Sequence, residues 1–545
     1  MREISRRQAL VGLGAFTFVL AGCGEGETAK KTADVSGNKA GAMASFGVGQ
    51  QFKATEPISF DVLYNNHPFY PLKNDWLFWQ ELTKRTNVTL KPVAVPLSDY
   101  EKKRGLLVGS GQAPLIIPKT YHPAEEAFVA SGAILPVSDY LDLMPNFKDK
   151  VAKWRLEPEL NTFRQSDGRF YLLPGLHEDI WVDYSLAVRT DILEKHNLEI
   201  PKTWDELYTV LKALKAEYPD LYPMTDRWGV PTPGGNLLKI VAQAYGAKGG
   251  WEYQHATWDS AAGKFVYTGA MPGYKQMIEY LHKLVKEKLL DPESFTQQDE
   301  QAKQKFNSGK SFVISANAQT LINDHRTQLS KLVPGAKIVK IPVPLGPIGE
   351  YKIGVRTENG VMISKKALEN KNFVAMMQFI DWLWYSDQGQ EFAKWGVEGT
   401  TFTKDASGAY KLAEDVDFVG LNPGAPKHLQ KDFGFHNGVF TYGGTTKLLH
   451  STFSEEELAF QKVMNARKPW PVEPPHPFTD EEREQAALWE TPLKDHVQQN
   501  TLKFILGERD LSEWDAYVKE LEAKNMTSYI NLVTTAYERF KKEHG

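Results

Sequence analysis

Cysteine is all but missing from this 545-residue chain: Cys23 is the only one. A lone thiol closes no intramolecular disulfide and supplies no cysteine-rich metal site. Dense Lys/Arg runs are missing outside the extreme N-terminus, and the formal charge is −4, which excludes a nucleic-acid-binding surface. Catalytic signatures are lacking too. Gly109-Ser110-Gly111 does not have the spacing of a nucleophile elbow. His177-Glu178 is followed by Trp181 where a zinc helix needs its second imidazole. Gly309-Lys310-Ser311 has Gln304 where a phosphate loop needs glycine. No catalytic residue, metal or cofactor is expected from these patterns. One acidic cluster, Glu178, Asp179 and Asp183, could serve glycoside hydrolysis if two carboxylates stood at the required separation.

Aromatics are plentiful, with 14 Trp, 22 Tyr and 28 Phe, enough for cores and for flat faces that stack on ligands. The length suggests two to four domains. Arg2, Arg6 and Arg7 precede an apolar run over residues 9–21, and Leu20-Ala21-Gly22 leads into Cys23. A basic start, a short apolar run and small residues at a cleavage point predict a secretory signal over 1–22 rather than a membrane span. Leu-Ala-Gly-Cys also resembles a bacterial lipobox, which implies cleavage before Cys23 and lipid on its sulfur. Ser5-Arg6-Arg7 hints at twin-arginine export. Residues 23–56 are rich in Gly, Ala, Ser, Thr and Lys and read as a flexible tether ended by Pro57.

Extended and helical patterns then alternate. Residues 58–63 form a strand, and Asn65 and Asn66 in the loop beyond it stand where open α/β sheets bind ligands. Residues 88–95 and 115–117 are further strands, the second followed by Lys119, Thr120 and Tyr121. Residues 170–173 run into Pro174-Gly175, a pair expected to halt the strand, and 184–189 extend again. Thr203, with Glu206 three residues on, caps a helix in which Leu207, Val210, Leu211 and Leu214 recur at helical spacing. Two extended runs and a turn between separate α/β regions are the pattern of a hinge. Later come Trp228 after a short strand, Trp251 in a connection, Asn317 just past a strand, and Trp395 and Glu398 in a loop. Trp384 reads as core. From Thr479 onward the chain is helical.

Three blocks carry a family likeness: Pro201-Lys202-Thr203-Trp204-Asp205-Glu206-Leu207, the order of elements over 263–314, and Tyr385-Ser386-Asp387 followed by Gly389-Gln390-Glu391 and Gly396-Val397-Glu398-Gly399. They resemble the extracellular solute-binding proteins of bacterial ABC importers (family 1), and among these the large lipoprotein carbohydrate-binding branch that includes alginate-oligosaccharide-binding proteins. The resemblance spans nearly all of the chain after the signal. It implies an α/β, two-lobed periplasmic-binding-protein-like fold of type II with hinge-connected lobes and extra C-terminal helices. The expected divisions are first lobe 57–178 and 341–410, second lobe 179–340, and a C-terminal helical region 411–545 mostly in the second lobe. It further implies a lipid-anchored monomer on the extracytoplasmic face of the cell membrane that captures an oligosaccharide by closure and delivers it to permease subunits with their ATPase. Trp181, Trp228, Trp251 and Trp395 are then the stacking candidates. Asn65, Asn66, Tyr121, Asn317 and Glu398 are the polar ones. Some large relatives carry a calcium loop near residues 218–221; Tyr218-Pro219-Asp220-Leu221 lacks its alternating oxygen ligands and glycine, so no calcium is expected there. A secreted glycoside hydrolase or lyase, or a polysaccharide-binding adhesin, is the alternative.

Overall fold

The computed structural model describes residues 33–227 and 234–544. Cys23, the signal and Trp228 therefore lie outside the described residues. β1 (Ile58–Asn66), β2 (Val88–Pro96), β3 (Ile116–Thr120), β4 (Leu173–Trp181) and the later strand Val355–Ile363 form a five-stranded sheet in the order β2, β1, β3, Val355–Ile363, β4. β1 runs parallel to β2 and β3, and Val355–Ile363 runs antiparallel to both of its neighbours. A second sheet places β5 (Ser185–Arg189) between Val313–Ala316 and Ile338–Ile341, antiparallel to each. Met224 extends that sheet by bridging Val313 and Leu290.

Each sheet has its own core. The first gathers residues from Phe52 to Leu176 and from Val361 to Leu448. The second gathers Val182 to Val343 and Phe460 to Ala536, with a smaller cluster around Phe306, Ile314 and Leu329. These are two lobes, and the chain crosses between them near 181–185, 343–361 and 448–460. Leu412, Val416, Phe435 and Phe440 are buried in the first core, so the second-lobe stretch begins near Phe460 and not at 411. The turn-rich sequence of that segment hides the apolar side chains that bind it to the first lobe.

Local chemistry explains the elements. Thr203 Oγ1 accepts the Glu206 N–H at 3.0 Å, and the Glu206 carboxylate reaches back to the Lys202 N–H at 2.7 Å. The helix Trp204–Glu217 so capped buries Trp204, Leu207, Val210, Leu211 and Leu214. Two expectations fail. Pro174-Gly175 does not end a strand but lies inside β4, where the ladder with Val355–Ile363 is irregular between Glu358 and Gly360. Proline tolerates the irregularity, and glycine is required because a Cβ there would sit 2.4 Å from Tyr442 Cβ. The tether expectation fails from residue 35 onward. Phe52 is fully buried, with its ring 5.9 Å from Phe46 and 6.1 Å from Phe379. Met43 N–H bonds Gln378 at 2.9 Å and Gly49 N–H bonds Asn146 at 3.0 Å. A few aromatic anchors outweigh a polar average composition.

Candidate functional site

Strand ends build the first-lobe wall of the cleft. β1 runs on to Asn66, so Asn65 and Asn66 are strand residues rather than loop. Asn65 is buried and its Oδ1 has no hydrogen-bond partner. Asn66 Oδ1 accepts the Leu72 N–H at 2.9 Å and shapes the turn. That turn stacks His67 on Tyr70, ring centroids 4.7 Å apart. Burial, with the Lys119 and Lys303 ammoniums adding, lowers the His67 imidazole to about 4. It is neutral at physiological pH.

Beyond β3, Lys119 adopts a left-handed backbone with φ +55. Its N–H donates to Tyr442 Oη at 2.8 Å, and its carbonyl accepts from Arg104 at 2.6 Å. Its Nζ lies 5.8 Å from the ring of Tyr121, which is half exposed. On β4, His177 is buried, its Nε2 is 3.2 Å from Glu358, and its ring lies 5.3 Å from Trp181. Burial opposes ionisation of Glu358, but His177, Lys394 and Lys119 more than offset it and hold the carboxyl below its usual range.

The second-lobe wall follows the same logic of strand ends. The chain leaves Met224 through Thr225, Asp226 and Arg227, all buried. Asp226 accepts from Ser315, and burial raises its carboxyl to about 6. Arg227 Nε stands 3.3 Å from Asp299. Asn236, at the start of the helix Gly235–Ala244, is fully buried with neither amide atom bonded. Tyr184 meets Trp251 edge-on at 5.3 Å.

The walls face each other. Lys303 of the second lobe contributes to the field at His67 of the first. Gln319 of the second bonds Gln430 of the first at 3.1 Å. At another edge, Arg483 pairs with Glu126 and donates to Gln165 at 2.6 Å.

The structure sorts the sequence candidates. Asn65 lies near the end of β1, Tyr121 just past β3 and Trp181 at the end of β4, while Trp251 meets Tyr184, and Trp181 Nε1 is buried without a partner. Asn317 caps the helix that follows it, accepting from Thr320 at 2.9 Å, and donates to Asp183 at 3.2 Å. Trp395 does not face the cleft. Trp395 is the last residue of the helix Asp387–Trp395 and not part of a loop, and it is buried with its ring stacked on Tyr410 at 4.8 Å. Glu398 is exposed on the turn after that helix, near Tyr410. Trp384 is core, as expected. The acidic cluster is occupied: Glu178 accepts the Thr446 N–H at 2.8 Å and Asp179 its hydroxyl at 2.7 Å. Glu358, Lys394 and Asn236 were missed. They lie on helices and strands with no local pattern, and only the tertiary fold buries Lys394 and Asn236 and sets Glu358 beside His177.

Comparison with known proteins places this geometry. The family model described as bacterial extracellular solute-binding protein matches residues 75–391. The chain belongs to that family. Its members work outside the cytoplasmic membrane, and the two-lobed α/β fold is theirs. Among curated members, the chain is 24% identical to the fructooligosaccharide ABC transporter substrate-binding protein FusA of Streptococcus pneumoniae, over 98% of each chain. It is 22% identical to the polygalacturonan/rhamnogalacturonan-binding protein YtcQ of Bacillus subtilis, over 85% of this chain and 88% of that one. In fold, it superposes on the alginate-binding protein AlgQ2 without calcium ion with a TM-score of 0.69 and 21% identity, covering 90% of this chain and 99% of the other.

Proposed function

We propose that this solute-binding protein captures an oligosaccharide between its lobes and hands it to an ABC permease, held at the outer face of the membrane by lipid on Cys23. The observation that carries the reading is the pairing, on both walls, of aromatic faces with buried polar atoms that lack partners. Trp181, Tyr121, Tyr184 and Trp251 supply the faces. Asn65 Oδ1, His177 Nδ1, Trp181 Nε1, both Asn236 amide atoms and Gln297 Oε1 are the unbonded atoms. A sugar ring offers the matching pair of surfaces: a C–H face to stack and a rim of hydroxyls that both donate and accept. Leaving such atoms unmade costs about 1–3 kcal/mol each, so a ligand that satisfies them binds the closed form preferentially. The saccharides in the names of FusA and YtcQ support the same class.

The carboxylates considered for hydrolysis have partners within the fold. Glu178 and Asp179 are spent on Thr446, and Asp183 is bonded by Asn317 and raised by burial. The test is a thermal-shift screen against oligosaccharides, with product analysis of each hit. A saturable rise in Tm with intact ligand is expected. Cleaved ligand would replace this reading with an enzyme.

A further inference from the structure

Several lysines that are largely shielded from solvent are matched with carboxylates. Lys303 stands 2.6 Å from Asp299 and 3.0 Å from Asp324. Lys239 is 2.7 Å from Glu252, Lys340 is 2.6 Å from Glu457, and Lys150 is 2.6 Å from Asp387. Two lysines of the first lobe break the pattern. Among the described residues, Lys119 has only the weak bond from its Nζ to Tyr121 Oη at 3.5 Å, and Lys394 forms no ion pair or side-chain hydrogen bond.

Lys394 is the more telling. It is 3% exposed, on the helix Asp387–Trp395, and Gly444 packs so close that a Cβ there would lie 3.7 Å from the Lys394 Cε. Burial lowers its ammonium to about 8; Glu358 counteracts this and Lys150 adds to it. Glu358 is the one carboxylate in the fields of both lysines. Its Oε1 accepts the Gly443 N–H at 3.0 Å, and its Oε2 stands 3.2 Å from His177 Nε2. One anion thus faces two ammoniums. A buried charge without a counterion is costly and persists where something else supplies the counterion.

The backbone holds the half-buried member of the pair, Lys119, in place. The left-handed turn at Lys119 is pinned on both sides, by Tyr442 through its N–H and by Arg104 through its carbonyl. Room is kept beside it by Gly438, where a Cβ would come within 2.7 Å of Tyr70 Oη and 3.4 Å of Lys119 Nζ. Strain of this kind, kept at a cleft, marks a side chain that must be presented in one direction. Resting on the oligosaccharide reading above, we propose that the ligand is acidic, and that a uronate carboxylate on it is received by the Lys119 and Lys394 ammoniums beside Glu358. A neutral sugar can accept a hydrogen bond from Lys119. It cannot neutralise Lys394.

Two consequences separate the acidic ligand from a neutral one. Affinity for a carboxylate falls as salt screens the pair, although burial limits the fall. Pairing Lys394 with an anion also raises its proton affinity, so binding near pH 8 takes up protons. The experiment is calorimetry on the purified protein with trigalacturonate and maltotriose as length-matched probes, at two salt concentrations and, at pH 8, in two buffers of different ionisation enthalpy. The expected result is at least tenfold tighter binding of trigalacturonate, weakened by salt, with net proton uptake. Lys119→Met and Lys394→Met should each reduce the preference about tenfold, and Lys119→Arg should keep it. Because Lys394→Met alters a buried site, Lys119→Met and the wild-type salt and proton readings stand independently of it. Binding of maltotriose as tight as or tighter than trigalacturonate overturns the acidic ligand and leaves the oligosaccharide reading intact. If neither these nor any other saccharide binds, both fall.

Discussion

At the scale of single residues, sequence and structure part over tryptophan. Trp181, Trp251 and Trp395 look alike in a sequence, since each flanks a polar or glycine-containing stretch. What separates them is whether the helix or strand continues. The helix Asp387–Trp395 ends only at Gly396, whose φ of +93 stops it, and this last turn carries Trp395 inward to bond Ser451 at 3.0 Å. Trp251 stays 38% exposed on a connection in the second lobe. The two should therefore fail differently. Trp395→Ala is expected to cost about 3–5 kcal/mol of stability without changing the affinity of the folded fraction. Trp251→Ala should leave urea stability within about 1 kcal/mol and weaken ligand binding about tenfold, or about 1.4 kcal/mol. Denaturation and titration of both variants would expose an exchange of these roles.

Elements were more legible than residues. Capping chemistry and hydrophobic spacing locate the helices Trp204–Glu217 and Asp480–Leu506, the second with Thr479 and Glu482 bonded reciprocally. Apolar runs locate β2 and β5 to within a residue, whereas β3 runs three residues past its apolar stretch, through Pro118, Lys119 and Thr120. Caps that come from distant chain are invisible in the sequence. The helix Pro145–Trp154 takes its cap from Asp381, which accepts the Asn146 and Phe147 N–H groups at 2.9 and 2.8 Å. Burial is the larger influence on that carboxyl and raises it from 3.8 to about 6, against the pull of these bonds. A raised folded value means that the group's stabilising contribution is full below about 3.8 and is lost as pH rises through about 6. Roughly two pH units correspond to about 3 kcal/mol. Asp381→Asn removes this dependence, so the stability advantage of wild type over the variant should grow by about 2–3 kcal/mol from pH 7 to pH 4. Urea titrations of both proteins at the two pH values test the sign, and a shrinking advantage would refute it.

At the scale of the whole molecule, the two lobes touch directly at Gln319–Gln430 and at Arg483 with Glu126 and Gln165. These contacts favour the closed form without involving ligand. An ion pair about three-quarters shielded is worth about 0.5–1 kcal/mol, so Arg483→Ala should raise the apparent Kd about two- to fivefold by lowering the closed fraction. Small-angle scattering should show a larger ligand-free radius of gyration and an unchanged one with ligand bound. The discontinuity of both lobes also went unread at its true extent, because nothing in residues 412–448 declares to which core they belong. Its consequence concerns the order of assembly. Val355–Ile363 is an interior strand of the first sheet, lying between β3 and β4. The lobe that the chain begins first therefore cannot close its sheet until a segment from far downstream arrives, and the second lobe waits longer still for the helices beyond Phe460. Contacts of such long sequence separation form slowly. A chain emerging N-terminus first stays without either finished core until nearly all of it is out, which leaves β3 and β4 in need of protection until then.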